Sequence, residues 1–415
     1  MTPFERAVAA ILLALALLSA AVLALGDRTR PRLVAYGPRG ELSAYAQAWL
    51  RFSRAMDHSS VEEALRIDSP TPWKKRWEGE RLVLEPLAPL PYGTVVRFQL
   101  AALASDAHGQ AMGRALSWTA QVHQPRLVYL DDLPQGQAFM TALAGPARRL
   151  GIMASDLAPD RSGTQLAVEV WTPDPQVMVL NLLSGSQQTI PVENNTSISA
   201  PGWAPDGRLF FDLRELLALP DGTILTLPRP VYRTLEPVVP RRAADFGYAP
   251  RWSPDSSRLA FLLPDQGAGV WDSSSTVRLN GPSSEPGSWA PDSRRLAIVT
   301  PVPEQFRAAL AVWEVLSNQV TTVAGGERNY REPRWHPVAE RVAYIAVSGN
   351  QEQVEILNLV DASTTGLYGT DQFISDLAWS PAGEYLAFKV ERTIMVWDGN
   401  QITSVAQGDL PKWVP

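Results

Sequence analysis

The chain is predicted to be all-β, an Ig-like β-sandwich followed by a β-propeller that its own C-terminal strand closes, with a single apolar helix at the N-terminus. Three observations predict this. A tryptophan followed two residues later by proline recurs after about residue 125, at Trp203-Ala204-Pro205-Asp206, Trp252-Ser253-Pro254-Asp255, Trp289-Ala290-Pro291-Asp292, Trp335-His336-Pro337 and Trp379-Ser380-Pro381. A degenerate copy, Leu157-Ala158-Pro159-Asp160, precedes these, and Trp413-Val414-Pro415 follows them. The starts lie 34 to 49 residues apart, the length of one four-stranded propeller blade. Upstream, residues 31–124 carry about seven short alternating segments, which suits a sandwich.

Within the repeat, each good copy runs into an apolar triplet: Leu259-Ala260-Phe261, Leu296-Ala297-Ile298, Val342-Ala343-Tyr344 and Leu386-Ala387-Phe388. The intervening Pro-Asp-Ser, Pro-Asp-Gly or Pro-Ala-Gly supplies a fixed φ and then turn-tolerant residues. The unit therefore reads strand, tight turn, strand. A third strand is marked by Gly269-Val270-Trp271-Asp272, Ala311-Val312-Trp313-Glu314 and Met395-Val396-Trp397-Asp398, and a more variable fourth follows, as in Gln319–Val323. One blade cannot bury both faces alone, so the tryptophans are expected to be core, packed between neighbouring blades.

Pro411-Lys412-Trp413 is a first strand with no second, while Pro125–Leu130 reads as a second strand with no first. The last strand is therefore expected to complete the first blade and close the ring, which leaves no exposed edge there. Counting starts gives seven blades. Six or eight stay open, because Asp212–Tyr248 is irregular.

These residues resemble the WD-like repeats of TolB-type propellers, whose motif runs Trp-Ser-Pro-Asp-Gly and then Leu-Ala-Phe. The likeness covers roughly residues 125–415 and departs in blade number, TolB itself having six. Some members are partner-binding scaffolds and others carry a fused hydrolase domain, so the resemblance implies protein or ligand binding without naming a partner.

At the front, Ala7–Leu25 is an uncharged, apolar stretch just long enough to cross a bilayer. Residues 1–26 are expected to be a membrane anchor or a signal peptide. Its length favours an uncleaved anchor, although Ala24-Leu25-Gly26 would serve as a cleavage site. Arg28, Arg30 and Arg32 outnumber Arg6, which argues against export. In residues 31–124, Phe52-Ser53 with Met56-Asp57, Leu87–Tyr92 and Asp106-Ala107-His108-Gly109 resemble the SbsA-type Ig-like domain of bacterial surface proteins. That resemblance implies a non-catalytic spacer or adhesive module, and with it an extracytoplasmic body, secreted if the front segment is cleaved. The basic insertion Trp73-Lys74-Lys75-Arg76-Trp77 reads as a solvated hairpin, with a surface-binding patch as the sharper alternative.

Composition narrows the chemistry. A net charge of −6 with no long basic run argues against nucleic acid as a partner. The absence of cysteine excludes disulfides, thiol catalysis, thiolate-ligated zinc and a lipoprotein anchor. The four histidines, His58, His108, His123 and His336, show no metal-ligand spacing, and no cofactor motif appears. There is no nucleophile elbow, phosphate loop or sialidase box, and Asp131-Asp132 reads as a solvated acidic pair.

One weaker pattern concerns a partner. In three copies a basic residue follows proline and precedes tryptophan: Pro250-Arg251-Trp252, Pro333-Arg334-Trp335 and Pro411-Lys412-Trp413. Strand alternation aims these charges away from the buried ring. Arg251, Arg334 and Lys412 would then line one mouth of the channel, with Arg328, Tyr330 and Arg331 extending the surface, unless they are simply solvated strand starts. The expected function is a non-catalytic, membrane-anchored or exported binding protein that presents a propeller face to a protein or cell-envelope ligand. The alternatives are a hydrolase on glycans or peptides with carboxylates at the channel mouth, and a sensor coupled through its N-terminal helix.

Overall fold

The computed structural model describes residues 29–415 apart from 172–174, 191–195, 219–223, 233–240, 243–247, 264–266, 273–274, 284 and 303–306, together with Leu15 and Ala16. The apolar stretch Ala7–Leu25 thus lies almost wholly outside the described residues. Among those described, no helix is long and apolar enough to cross a membrane.

Alternation of apolar and polar residues in the first unit gives two four-stranded sheets. One runs, in spatial order, Leu33–Gly37, Ala48–Phe52, Arg81–Pro86, Trp73–Glu78; the other Gly40–Leu42, Leu116–Val122, Val95–Leu100, Leu65–Asp68. Their inner faces share one core containing Leu50, Phe52, Leu82, Leu84, Val96, Phe98 and Trp118. Phe98 stacks on Trp118 at 4.8 Å between ring centroids. In the edge strand Trp73–Glu78, Trp73 and Trp77 pack on this core, while Lys74 and Arg76 face solvent. Asp57 caps the short helix His58–Ala64 by accepting from the Ser59 amide at 3.0 Å.

From Arg126 onward the strands form seven four-stranded antiparallel sheets, each built by consecutive strands except the first. That first sheet runs Arg148–Ala154, Gly136–Ala142, Arg126–Leu130 and then Asp409–Val414, so the far end of the chain supplies its innermost strand. Trp413 pairs with Leu127 and Val414 with Arg126. The segment that is irregular in sequence forms the third sheet: Thr196–Trp203, Leu209–Ala218, Ile224–Tyr232 and Arg241–Arg242.

Separate apolar clusters fill the seams between the first and second sheets, second and third, fourth and fifth, fifth and sixth, sixth and seventh, and seventh and first. Across the remaining seam, the Arg208 guanidinium sits 4.9 Å from the Trp252 ring centroid. The sheets therefore return on themselves, as in a β-propeller.

The repeat tryptophans add a polar link to this packing. Trp203 Nε1 donates to the Ala158 carbonyl at 2.9 Å and Trp289 to Arg251 at 2.8 Å. Trp379 donates to the Arg334 carbonyl at 3.0 Å and Trp413 to Ala378 at 2.8 Å. Each bond reaches the innermost strand of the preceding sheet, a strand with a ladder partner on one side only.

The sandwich leans on the turns that join first and second strands. Tyr45 Oη donates to the Pro381 carbonyl at 3.3 Å, Glu384 accepts from the Tyr92 amide at 3.1 Å, and Tyr385 Oη donates to Gln124 at 2.9 Å. Arg161 lies over the Tyr45 ring at 4.2 Å.

Replacing Trp413 with alanine removes a buried ring at the closing strand, and a loss of roughly 3–5 kcal/mol is expected. Trp413→Phe should lose less, since it forfeits chiefly the bond to Ala378. Urea unfolding of the two variants checks the order; equal losses would mean the indole bond contributes nothing.

Candidate binding site in the central channel

The residue just before each repeat tryptophan follows one geometric rule. Going round the ring from the first sheet these are Lys412, Asp156 (before Leu157 of the degenerate copy), Gly202, Arg251, Ser288, Arg334 and Ala378. In five sheets the ladder is broken just ahead of this position, between Ser199 and Gly202, Tyr248 and Arg251, Arg331 and Arg334, Ser375 and Ala378, and Asp409 and Lys412. Within the last four breaks one residue adopts a left-handed conformation: Ala249 at φ 50°, Glu332 at 51°, Asp376 at 59° and Leu410 at 52°. Such a conformation costs a non-glycine residue on the order of 1 kcal/mol. A bulge re-aims the side chains that follow it. The prolines at 250, 333 and 411 sit inside these breaks, where a missing N–H removes no ladder bond.

Six of these seven residues, all but Ala378, line one cavity of about 520 Å³ in the channel. The turn prolines Pro159, Pro205 and Pro254 also line it, so it extends to the strand-joining turns. Trp203, Phe210 and Trp252 form part of its wall. Glycine is required at 202, because a Cβ there would fall 2.3 Å from the Phe210 ring.

The charges in the channel differ in their pairing. Arg334 is tied down: it reaches Glu285 at 3.2 Å and Glu332 at 3.5 Å, and its Nε donates to the Leu377 carbonyl at 2.9 Å. Lys389 bridges Asp376 at 3.1 Å and Asp409 at 2.7 Å. Arg251 and Lys412 form no hydrogen bond or ion pair through their side chains among the described residues.

Arg251 keeps a large open area, yet that area faces the interior of the ring and not bulk solvent. Crowding by the sheets, and then repulsion from Arg334, pull its pKa down. Burial pulls Lys412 down as well; Asp156 opposes this and Arg251 adds to it. Burial pushes the Asp156 carboxyl up against the pull of Lys412. Glu332 is likewise raised by burial, with Arg334 opposing.

The six residues expected to share one surface do not. Arg251, Arg334 and Lys412 meet in the cavity, and Asp156 among them makes the lining mixed in charge. Arg328 and Tyr330 lie at the start of the strand Asn329–Trp335, roughly 17–23 Å along it from Trp335, whereas Arg331 is about 13 Å from it and shares Glu332 with Arg334, at 3.6 and 3.5 Å. There Arg328 is bound to the buried Glu355 and Arg331 to Glu352, while Tyr330 is buried and donates to the Gly325 carbonyl at 3.1 Å. Glu355 also accepts from Tyr344 Oη at 2.7 Å, so Arg328 and Tyr330 serve packing between the fifth and sixth sheets, whereas Arg331 lies over the Phe373 ring at 4.4 Å. Asp156 was discoverable, since the degenerate repeat puts it in register with Arg251. Glu285, Glu332 and Asp376 carry no such mark.

Among the described residues, no group of three or more histidines and carboxylates is arranged to hold a metal ion. His336 is buried against Trp379, with its Nε2 3.0 Å from the Gly383 carbonyl, and burial pulls its pKa down.

No family model matches the chain, and no curated protein matches it by sequence. Among solved structures it is similar to TolB from Acinetobacter baumannii, at 15% identity and TM-score 0.43 over 85% of this chain and 83% of that one. It is also similar to the β-propeller domain of the Trilobed protease from Pyrococcus furiosus, at 11% identity and TM-score 0.46 over 77% and 95%. An oligogalacturonate lyase in complex with manganese aligns at 10% identity and TM-score 0.47 over 68% and 85%. At such scores the propeller assignment rests on the sheet topology itself.

Because Lys412 carries its charge in a crowded site without a partner among the described residues, the folded state holds that charge less readily than the unfolded chain. Its folded pKa lies below the unfolded one, so folding gains stability as pH rises through the window between them. At neutral pH, Lys412→Met should therefore raise the melting temperature, as thermal unfolding would show. A clear fall would mean that the ammonium is compensated. Gly202→Ala should lower the melting temperature by forcing Phe210 aside.

Proposed function

We propose that the protein is a non-catalytic, membrane-anchored or exported binding protein. In this reading an SbsA-type Ig-like sandwich holds a seven-bladed, TolB-like propeller and leaves the turn side of its channel open to a protein or cell-envelope ligand. The observation that carries it is the convergence of Arg251, Lys412 and Asp156 in an open, aromatic-walled cavity. A pocket of a few hundred cubic ångströms with a few converging polar groups is the usual form of a ligand site.

A hydrolase is the second reading, favoured by Asp156 and Glu332, whose raised pKa values suit proton donors. It ranks below binding because Glu332 is engaged by Arg334 and by the Leu377 amide at 3.2 Å.

The test is capture from envelope extracts by the wild-type protein, by the double variant Arg251→Ser/Lys412→Ser, and by Lys74→Ser on the outer face of the sandwich. Specific capture should survive Lys74→Ser and disappear in the double variant. Capture unchanged in the double variant would remove this reading. Turnover of glycans or peptides that Asp156→Asn abolishes would replace it with the second.

A further inference from the structure

We propose that the channel cavity is a binding site for a small organic monoanion, a carboxylate carrying an apolar or aromatic body, held by Arg251 and Lys412. The inference rests on the binding reading above and names the ligand class of the same site.

Charge pairing selects the valence. Glu285 and Glu332 engage Arg334, and Asp376 and Asp409 engage Lys389. Arg251 and Lys412 remain, and the other charged group lining the cavity with them, apart from Arg334, is Asp156. The Arg334 group beside them, with its two carboxylates, carries one negative charge in excess, so the channel offers two donors for one carboxylate group and no surplus positive charge for a polyanion. A monoanion adds the least uncompensated charge to such a site, and a dianion would add twice as much. A guanidinium and an ammonium lining one cavity are also the donors that carboxylate oxygens accept from.

The walls select the rest of the molecule. Trp203, Phe210 and Trp252, with Pro201 and Pro250, offer flat apolar surface beside the charged residues. Gly202 lets the Phe210 ring come close. A ligand that is charged at one end and apolar over the remainder buries both kinds of surface. Ser288 is already engaged, since its Oγ accepts from the Trp335 amide at 2.9 Å. The lowered pKa values of Arg251 and Lys412, caused first by burial, fit two cations that the nearby carboxylates compensate only in part.

The experiment uses the full chain with 3-phenylpropionate, cyclohexanecarboxylate, the neutral 3-phenylpropionamide and inorganic phosphate, at fixed ionic strength and neutral pH. Calorimetric titration and quenching of tryptophan fluorescence are the readouts. Both acids should bind saturably at one site, with the amide and phosphate at least tenfold weaker. Arg251→Ser and Lys412→Ser should each weaken the acids tenfold or more without lowering the melting temperature, and Lys74→Ser should change nothing. The proposal falls if neither acid saturates, if the amide matches its acid, if phosphate binds more tightly than the acids, or if either cavity substitution leaves binding intact. Acid binding that responds to the substitutions while extract capture does not would keep the carboxylate site and discard the partner reading. The opposite pattern would do the reverse.

Discussion

The propeller depends on what the indole N–H of four repeat tryptophans does at the inner edge of the neighbouring sheet. An innermost strand has a ladder partner on one side only, and its other edge would leave carbonyls without donors. Trp203, Trp289, Trp379 and Trp413 each supply a donor to such a strand while burying a large ring in the seam. The same side chain therefore meets the apolar and the polar demand of a sheet that cannot stand alone. Where the fifth sheet meets the sixth, the Ser288 hydroxyl and the Trp335 amide make the cross-seam bond instead.

The channel chemistry follows from this clamp. In three of these four bonds the accepting carbonyl belongs to the residue just before a repeat tryptophan: Arg251, Arg334 and Ala378. The backbone of that position is pinned from outside, and in the fourth, sixth, seventh and first sheets a left-handed residue precedes it. Its side chain is thereby directed into the channel at most positions, although Gly202 lies against Phe210 and Ser288 is bound to the Trp335 amide. Around the circle it holds two arginines, a lysine, an aspartate, a serine, a glycine and an alanine. A position that is fixed in backbone and varied in side chain is where a repeat fold can acquire specificity.

Much of the fold was legible because tryptophan, proline and the turn residues recur at a spacing that only a sheet-per-repeat architecture explains. Asp160, Asp255 and Asp292 each accept turn amides in the way their place after proline suggests. The site was half legible. Proline–basic–tryptophan triplets pointed to Arg251, Arg334 and Lys412, but sequence spacing says nothing about which charges meet across the ring. Glu285 lies 49 residues from Arg334, and only closure of the sheets brings them together. Arg328 falls outside the cavity because a seven-residue strand separates its ends by roughly 20 Å, while Arg331, nearer along the strand, reaches Arg334 only through the shared Glu332.

The sandwich touches the ring at Pro381–Tyr385 in the seventh sheet, at Arg161 in the second, and through Arg126 and Glu41, 3.6 Å apart, beside the strand that pairs with the closing one. These contacts straddle the seam where the two ends of the propeller join, a junction of strand pairing, an apolar cluster and the Trp413 and Asp409 bonds. A pull delivered through the front of the chain would thus reach the circle at its fastening, spread over tyrosines seated on either side of it. The leading module is in this sense a strap across the buckle, and tension on it is shared between neighbouring sheets before it can peel the last strand away.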